Sequence, residues 1–164
     1  MTTRPAPELD APPWQRVEAT LITTARLLRD TYDQRFAELD LNLTQAIVLA
    51  YVADFGPVTQ TKIADHLGQG RAATGATIDR LQARGLVDRH PDPADRRVWQ
   101  IQVTDAGRRL VARITAIDTT LRTELRAGIS RAERQALTSV LQQLQTNLTR
   151  ASGFRPDNQE NPHD

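Results

Sequence analysis

Cysteine is absent from this 164-residue chain, which excludes a disulfide framework, a thiolate zinc site, an iron–sulfur cluster and a thiol redox switch. Lysine is nearly absent too: of 21 basic residues, only Lys62 is not an arginine. Almost every cation is therefore a planar guanidinium, able to grip a phosphate or a guanine edge with two parallel donors. A bias toward arginine codons would leave the same ratio. No stretch approaches the roughly 18–20 apolar residues of a bilayer helix, and the N-terminus has no basic segment followed by an apolar one. The expectation is a cytoplasmic protein without a membrane partner. His66, His90 and His163 stand apart, without HExxH or any pair at ligand spacing, and neither a glycine-rich phosphate loop nor a GxSxG elbow occurs. No catalytic residue, cofactor or metal is expected, and the chain does not read as an enzyme.

What is present is the composition of one globular domain, with 39% hydrophobic and 25% charged residues. Net charge is only +1, but it is unevenly spread. Residues 14–40 hold four arginines and five acids, whereas 71–109 hold eight arginines and five acids. The basic excess sits in the middle of the chain.

Proline marks the boundaries, because it is poorly tolerated inside helices and central strands. Pro5, Pro7, Pro12 and Pro13 crowd the start, and Pro156 and Pro162 lie near the end. We expect disordered ends at 1–13 and 151–164 around one domain at 14–150. Within it, Val17, Leu21, Ala25, Leu28, Tyr32, Phe36 and Leu39 recur at helical spacing in a long first helix. A second helix carries Ile47, Val48, Tyr51, Val52 and Phe55, with Thr44 as its expected cap. A short third helix fits Gln60–Leu67 behind Thr59, and Gly68 can leave it with positive φ. The fourth runs from Arg71 to Arg84 and stops at Gly85.

The period then changes. Leu86–Arg89 and Val98–Val103 predict two strands joined by an exposed tip, "HPDPADRR". Thr104 opens a fifth helix bearing Leu110, Ile114, Ile117, Leu121 and Leu125. Ser130 and Glu133 form a capping box for a sixth, bearing Leu137, Val140, Leu141, Leu144 and Leu148. The predicted class is mainly α with a small two-stranded β wing, six helices in all. The long terminal helices, about 14–39 and 104–150, carry more apolar surface than one small core can cover, so a homodimer formed through them is expected.

Residues 59–84, "TQTKIADHLGQGRAATGATIDRLQAR", have the layout of a helix–turn–helix: small Ala64 at the crossing, Gly68 at the turn, then a helix able to enter a major groove. With the hairpin behind it, the lobe at about 44–103 is the winged form. Arg71 can reach a guanine edge or a phosphate, and Ala72, Ala73 and Ala76 are small enough to admit the helix deeply. Thr74 or Thr77 is a further contact, although one of them must face inward. Arg80 lies where a phosphate would pass. Thr59, Gln60 and Thr61 offer hydroxyl, amide and backbone donors for phosphate; Lys62 is either a phosphate contact or a solvated charge. Gly75 has two readings, close approach to DNA or a tight helix crossing, and we favour the first. Trp14, Tyr32 and Trp99 are the aromatic candidates for a small-molecule pocket, or else ordinary packing residues.

The string "IDRLQARGLVDRHPDPADRR", with "VTDAG" at Val103–Gly107, resembles the MarR family of bacterial transcriptional regulators over roughly residues 14–150. The resemblance implies an obligate homodimer on a pseudopalindromic operator in double-stranded DNA, with the recognition helix in the major groove and the wing in the flanking minor groove. It also implies that Asp95 orients the arginine that enters the minor groove, Arg97, beside Arg96. A small aromatic or phenolic effector would bind between the dimer helices and the reading lobe and release the DNA. Gln69, Thr74 and Thr77 depart from the bulkier apolar residues common in that family, so the motif's core should be less apolar. The competing expectation is a winged-helix protein-interaction module that never meets DNA.

Overall fold

The computed structural model of the chain describes residues 12–151. Of the two ends expected to be disordered, all but Pro12, Pro13 and Ala151 lie outside the described residues. Pro13 begins a single 3-10 turn, Pro13–Gln15, and Ala151 closes the last helix.

Helix α1 spans Val17–Phe36 and tightens into a 3-10 turn over Ala37–Leu39. The chain reverses at Asp40, whose φ of 53° is left-handed, a conformation that Asp tolerates better than most residues. The Arg84 guanidinium, 44 residues away, donates to the carbonyls of Asp40 at 2.5 Å and Leu39 at 3.0 Å and holds this corner. Helix α2, Leu43–Phe55, is capped by Asn42 and not by Thr44. Asn42 accepts from the Gln45 N–H at 2.9 Å, and the Gln45 side chain accepts from the Asn42 N–H at 3.0 Å. That reciprocal pair satisfies two otherwise orphaned donors, which a threonine two residues later cannot do.

The sheet has three strands, one more than predicted. Strand β1 is only Val58–Thr59, too short to show alternation, and it pairs antiparallel with β3, Trp99–Val103, which in turn pairs with β2, Val87–Pro91. The order is β1-β3-β2. Between β1 and β2 lie helices α3, Gln60–Leu67, and α4, Arg71–Ala83. The core sits where α2, α3, α4 and the sheet meet: Leu49, Ile63, Ile78, Leu81, Val87 and Ile101 are at most 1% exposed. Burying each such side chain is worth roughly 1.5–3 kcal/mol.

Helix α5, Asp105–Leu125, is joined to the sheet by Thr104. Its hydroxyl donates to the Gly85 carbonyl at 2.7 Å and accepts from the Gly107 N–H at 3.0 Å. The described chain divides into two compact units at Leu121. The second unit holds the end of α5, a turn with Gly128 at φ 75°, and helix α6, Arg131–Ala151. No residue of α6 is buried, and Leu137, Val140 and Leu148 are more than half exposed. In the first unit Val17, Ile22 and Leu27 of α1 are likewise more than half exposed. Helix α6 therefore carries an apolar stripe, and α1 carries large apolar side chains spread around its surface, that are left uncovered in their own units. Among the described residues, no single helix is long and apolar enough to cross a membrane.

The capping box read at the start of α6 is formed. The Ser130 N–H donates to the Glu133 carboxylate at 2.8 Å, and the Glu133 N–H donates to the Ser130 hydroxyl oxygen at 3.2 Å. Hydrogen bonding from the Ser130 side chain first, and from its backbone second, holds the Glu133 carboxyl below its ordinary value. A carboxylate depressed on folding stabilises the fold above its unfolded pKa and loses that contribution as pH falls through the lowered value. The first turn of α6 should accordingly loosen only in acid below the ordinary carboxylate range. An NMR titration of Glu133, with amide exchange at Arg131–Glu133, checks this. Titration at the ordinary glutamate value would contradict the cap.

Candidate nucleic-acid interface

The reading lobe is built from two capped helices and a turn. Thr59 accepts from the Lys62 N–H at 3.3 Å and starts α3 where its sequence places it. Gly68 ends that helix at φ 59°, and its N–H bonds back to the carbonyls of Ala64 and Asp65. A residue other than glycine would be strained there. Ala64, 1% exposed, lies at the crossing and lets α4 approach α3.

Helix α4 divides sharply into two faces. Ile78 and Leu81 are inside, and so are Thr74 and Thr77, at 0% and 8% exposure. Both threonines face inward, so neither is a groove contact. Each hydroxyl donates to the carbonyl four residues earlier, Thr74 to Gly70 at 3.2 Å and Thr77 to Ala73 at 3.0 Å. A buried hydroxyl satisfied in this way avoids the cost of an unmade hydrogen bond. Arg71, Ala72, Ala73, Ala76 and Arg80 are all exposed. The alanines are small side chains with a guanidinium near each end, and Asp79 is exposed beside them.

Gly75 sits at the margin between the faces. A Cβ there would stand 2.9 Å from Nε2 of Gln60, and that amide donates to the Arg71 carbonyl at 3.0 Å. Of the two readings of Gly75, the helix crossing is the one with a contact in the structure. Half-buried Gln60 thus ties α3 to the start of α4, while Thr61 is exposed and Thr59 half-buried.

The wing is fixed from its base to its tip. Thr59 pairs with Gln100 across the sheet, and Gln100 donates to the Asp92 carboxylate. The other Asp92 oxygen accepts from the backbone of Ala94 at 2.7 Å and Asp95 at 3.3 Å. The carboxylate of Asp95 accepts from the Arg97 backbone N–H at 3.0 Å. Asp95 therefore orders the backbone that presents Arg97. Arg96 and Arg97 are exposed at that tip.

Three contributors escaped the sequence reading. The Arg89 guanidinium of β2 lies 2.6 Å from the Asp79 carboxylate of α4 and also donates to the Gln82 amide oxygen at 2.5 Å. An acid on the exposed face of α4 would repel a phosphate backbone, and Arg89 neutralises it while locking wing to helix. The available signal was alternation: Arg89 lies on the same strand face as Val87, where a charge needs a partner.

The aromatic candidates are not brought together. Tyr32 lines a cleft of about 330 Å³ between α1, α2 and α5, walled by Phe36, Ile47 and Ile114 among others. Its hydroxyl donates to Asp118 at 2.9 Å. Trp14 lies in the turn before α1 at 75% exposure, and Trp99 pairs with Pro91 at the outer end of β3 at 55% exposure. Neither lines the cleft, because both lie where the chain runs past the edge of the core.

Residues 39–98 match the MarR family model. The transcriptional regulator PA3341 is 29% identical, with 81% of this chain and 98% of that chain covered and a TM-score of 0.71. The fold is also that of two less similar proteins. BpsR of Bordetella bronchiseptica, whose structure concerns regulation of DNA binding by 6-hydroxynicotinic acid, is 24% identical, with 82% and 96% of the two chains covered and a TM-score of 0.76. MepR of S. aureus, solved as a DNA complex, is 20% identical, with 84% and 99% covered and a TM-score of 0.76. The winged helix–turn–helix of this chain, from the end of α1 to the wing, is thus the part that matches the MarR family of transcriptional regulators.

Proposed function

We propose that the chain is a sequence-specific, dimeric DNA-binding regulator of transcription that acts as a repressor and is released by a small aromatic or phenolic effector. The observation that carries this reading is the two-sidedness of α4. Ile78, Leu81 and both threonines of that helix are buried, and the outward face carries Arg71, Ala72, Ala73, Ala76 and Arg80, with its one acid, Asp79, paired to Arg89. Small side chains let a helix sit deep in a major groove, and flanking guanidinium groups meet guanine edges or phosphates. Arg96 and Arg97, on a tip stiffened by Asp92 and Asp95, suit a narrow minor groove, whose negative potential attracts guanidinium.

The uncovered apolar stripe of α6 and the exposed apolar side chains of α1 support association with a second copy, which would place two reading heads on successive turns of a duplex, roughly 34 Å apart. The cleft beside Tyr32 is within the usual size of a small-molecule site and supports effector control. MarR family proteins are transcription regulators and not enzymes.

Selection of a binding site from random duplex DNA, followed by a salt titration of affinity, tests the proposal. A binder touching several phosphates must lose affinity steeply as salt rises. Sedimentation at the same concentrations should show two chains. A single chain in sedimentation, or DNA affinity indifferent to salt, would favour a protein-interaction module instead.

A further inference from the structure

Resting on the reading of Arg97 as the minor-groove contact, we propose that Asp92 is a positioning residue for DNA reading: its carboxylate ties the wing tip to Gln100 and so holds Arg97 where it enters the groove. Among residues 91–99, Asp92 is the one that is not exposed. Its N–H donates to the Val98 carbonyl at 2.8 Å and closes the tip into a loop. One carboxylate oxygen accepts from the N–H groups of Ala94 and Asp95, at 2.7 and 3.3 Å, and the other accepts from the Gln100 side-chain amide. Gln100 is a firm base for this tie, because it lies on the middle strand between Thr59 of β1 and His90 of β2. From Asp95 the order passes outward. Its carboxylate accepts from the Arg97 N–H at 3.0 Å, and its carbonyl accepts from the Val98 N–H at 2.9 Å.

A negative charge at this place opposes the task it serves. Near a duplex a carboxylate repels phosphate, so on charge alone its removal would tighten binding and steepen the salt dependence. Positioning has the opposite sign. Without the Asp92 carboxylate the Ala94 and Asp95 N–H groups and the Gln100 amide lose their shared acceptor. The loop that presents Arg97 must then be ordered at each binding event, which costs affinity.

The test measures affinity of the full-length protein for the operator selected from random duplex DNA, with thermal melting and amide exchange at Ala94 and Asp95 alongside. Asp92→Ala is expected to weaken binding about fivefold or more and to speed exchange of those two amides, with melting unchanged. In the Arg97→Ala background the same substitution should alter affinity by less than about twofold, because no guanidinium is left to aim. Asp92→Asn keeps an oxygen for the backbone donors and an amide that can pair with a turned Gln100 side chain, so it should retain binding. Should Asp92→Ala fail to fold, Gln100→Ala decides, with a loss that again depends on Arg97. Unchanged or tighter binding by Asp92→Ala, where Arg97→Ala weakens it, overturns the positioning role and leaves Arg97 as the contact. An equal loss with and without Arg97 overturns it too, as does a loss in Asp92→Asn as large as in Asp92→Ala. If Arg97→Ala leaves affinity unchanged, the reading of Arg97 and this inference fall together. If the wild-type chain selects no operator, the DNA-binding reading falls and takes both with it.

Discussion

Gly107→Ala should lower the stability of the fold by roughly 3 kcal/mol, a large effect for one methyl group. Alanine ordinarily stabilises a helix interior by about 1 kcal/mol relative to glycine, and Gly107 lies in the first turn of α5. Here tertiary packing reverses the sign. A Cβ at Gly107 would fall 2.2 Å from the Leu86 carbonyl oxygen and 2.7 Å from Cγ2 of Val103. The carbonyl cannot swing aside cheaply, because it accepts from the Thr104 backbone at 3.1 Å and from the Thr104 hydroxyl at 3.2 Å. Those bonds attach α5 to the wing strands. For a domain of this size the cost corresponds to a melting temperature lower by about 6–12 °C. Gly70→Ala is the control: its φ is −63° and a Cβ there meets nothing within 4 Å, so its melting should stay near wild type. Equal melting of both variants and the wild type would show that the approach of α5 to Leu86 is not as close as described.

The second large effect is on DNA. Arg97→Ala should weaken operator binding by about 1–3 kcal/mol, roughly 5- to 150-fold, with melting unchanged. The residue is exposed, and only its backbone N–H is engaged by Asp95. Removing the guanidinium therefore leaves the turn and its hydrogen bonds in place. Affinity at several salt concentrations further separates its roles. A phosphate contact lowers the salt slope by about one, uniformly across sequences, whereas a groove contact relaxes preference at the base pairs flanking the half-sites. Unchanged affinity with unchanged slope would assign Arg97 to the solvated surface.

Much of the fold is legible in the chain, and the legible parts share a property. The cap at Thr59, the left-handed glycine at Gly68, the Ser130–Glu133 box and Thr104 at the start of α5 each depend on groups within three or four residues of one another. Thr44 was the wrong cap because Asn42 and Gln45 form a reciprocal pair, which propensity at one position does not express. Strand β1 was missed because two residues carry no alternation; only its pairing with β3 makes it a strand.

The candidate site divides along the same line. Its outer face was readable as small and basic residues at helical spacing. The inward turn of both Thr74 and Thr77, the use of Gln60 to brace α4, and the Arg89–Asp79 pair were not readable. Each depends on which element lies across from the residue. The aromatic candidates show the point from the other side. Residue type alone put Trp14 and Trp99 on a level with Tyr32, but only Tyr32 comes within reach of Asp118, 86 positions further on.

The order of helices, several of their caps and the two longer strands were settled by the sequence itself, because capping, positive φ and periodicity act between near neighbours. Tertiary structure alone decided which face of α4 looks outward, how the wing is locked to it, and that a carboxylate stands in the cleft. Those outcomes come from close packing and paired charge between distant segments, and such partners exist only once the chain has folded.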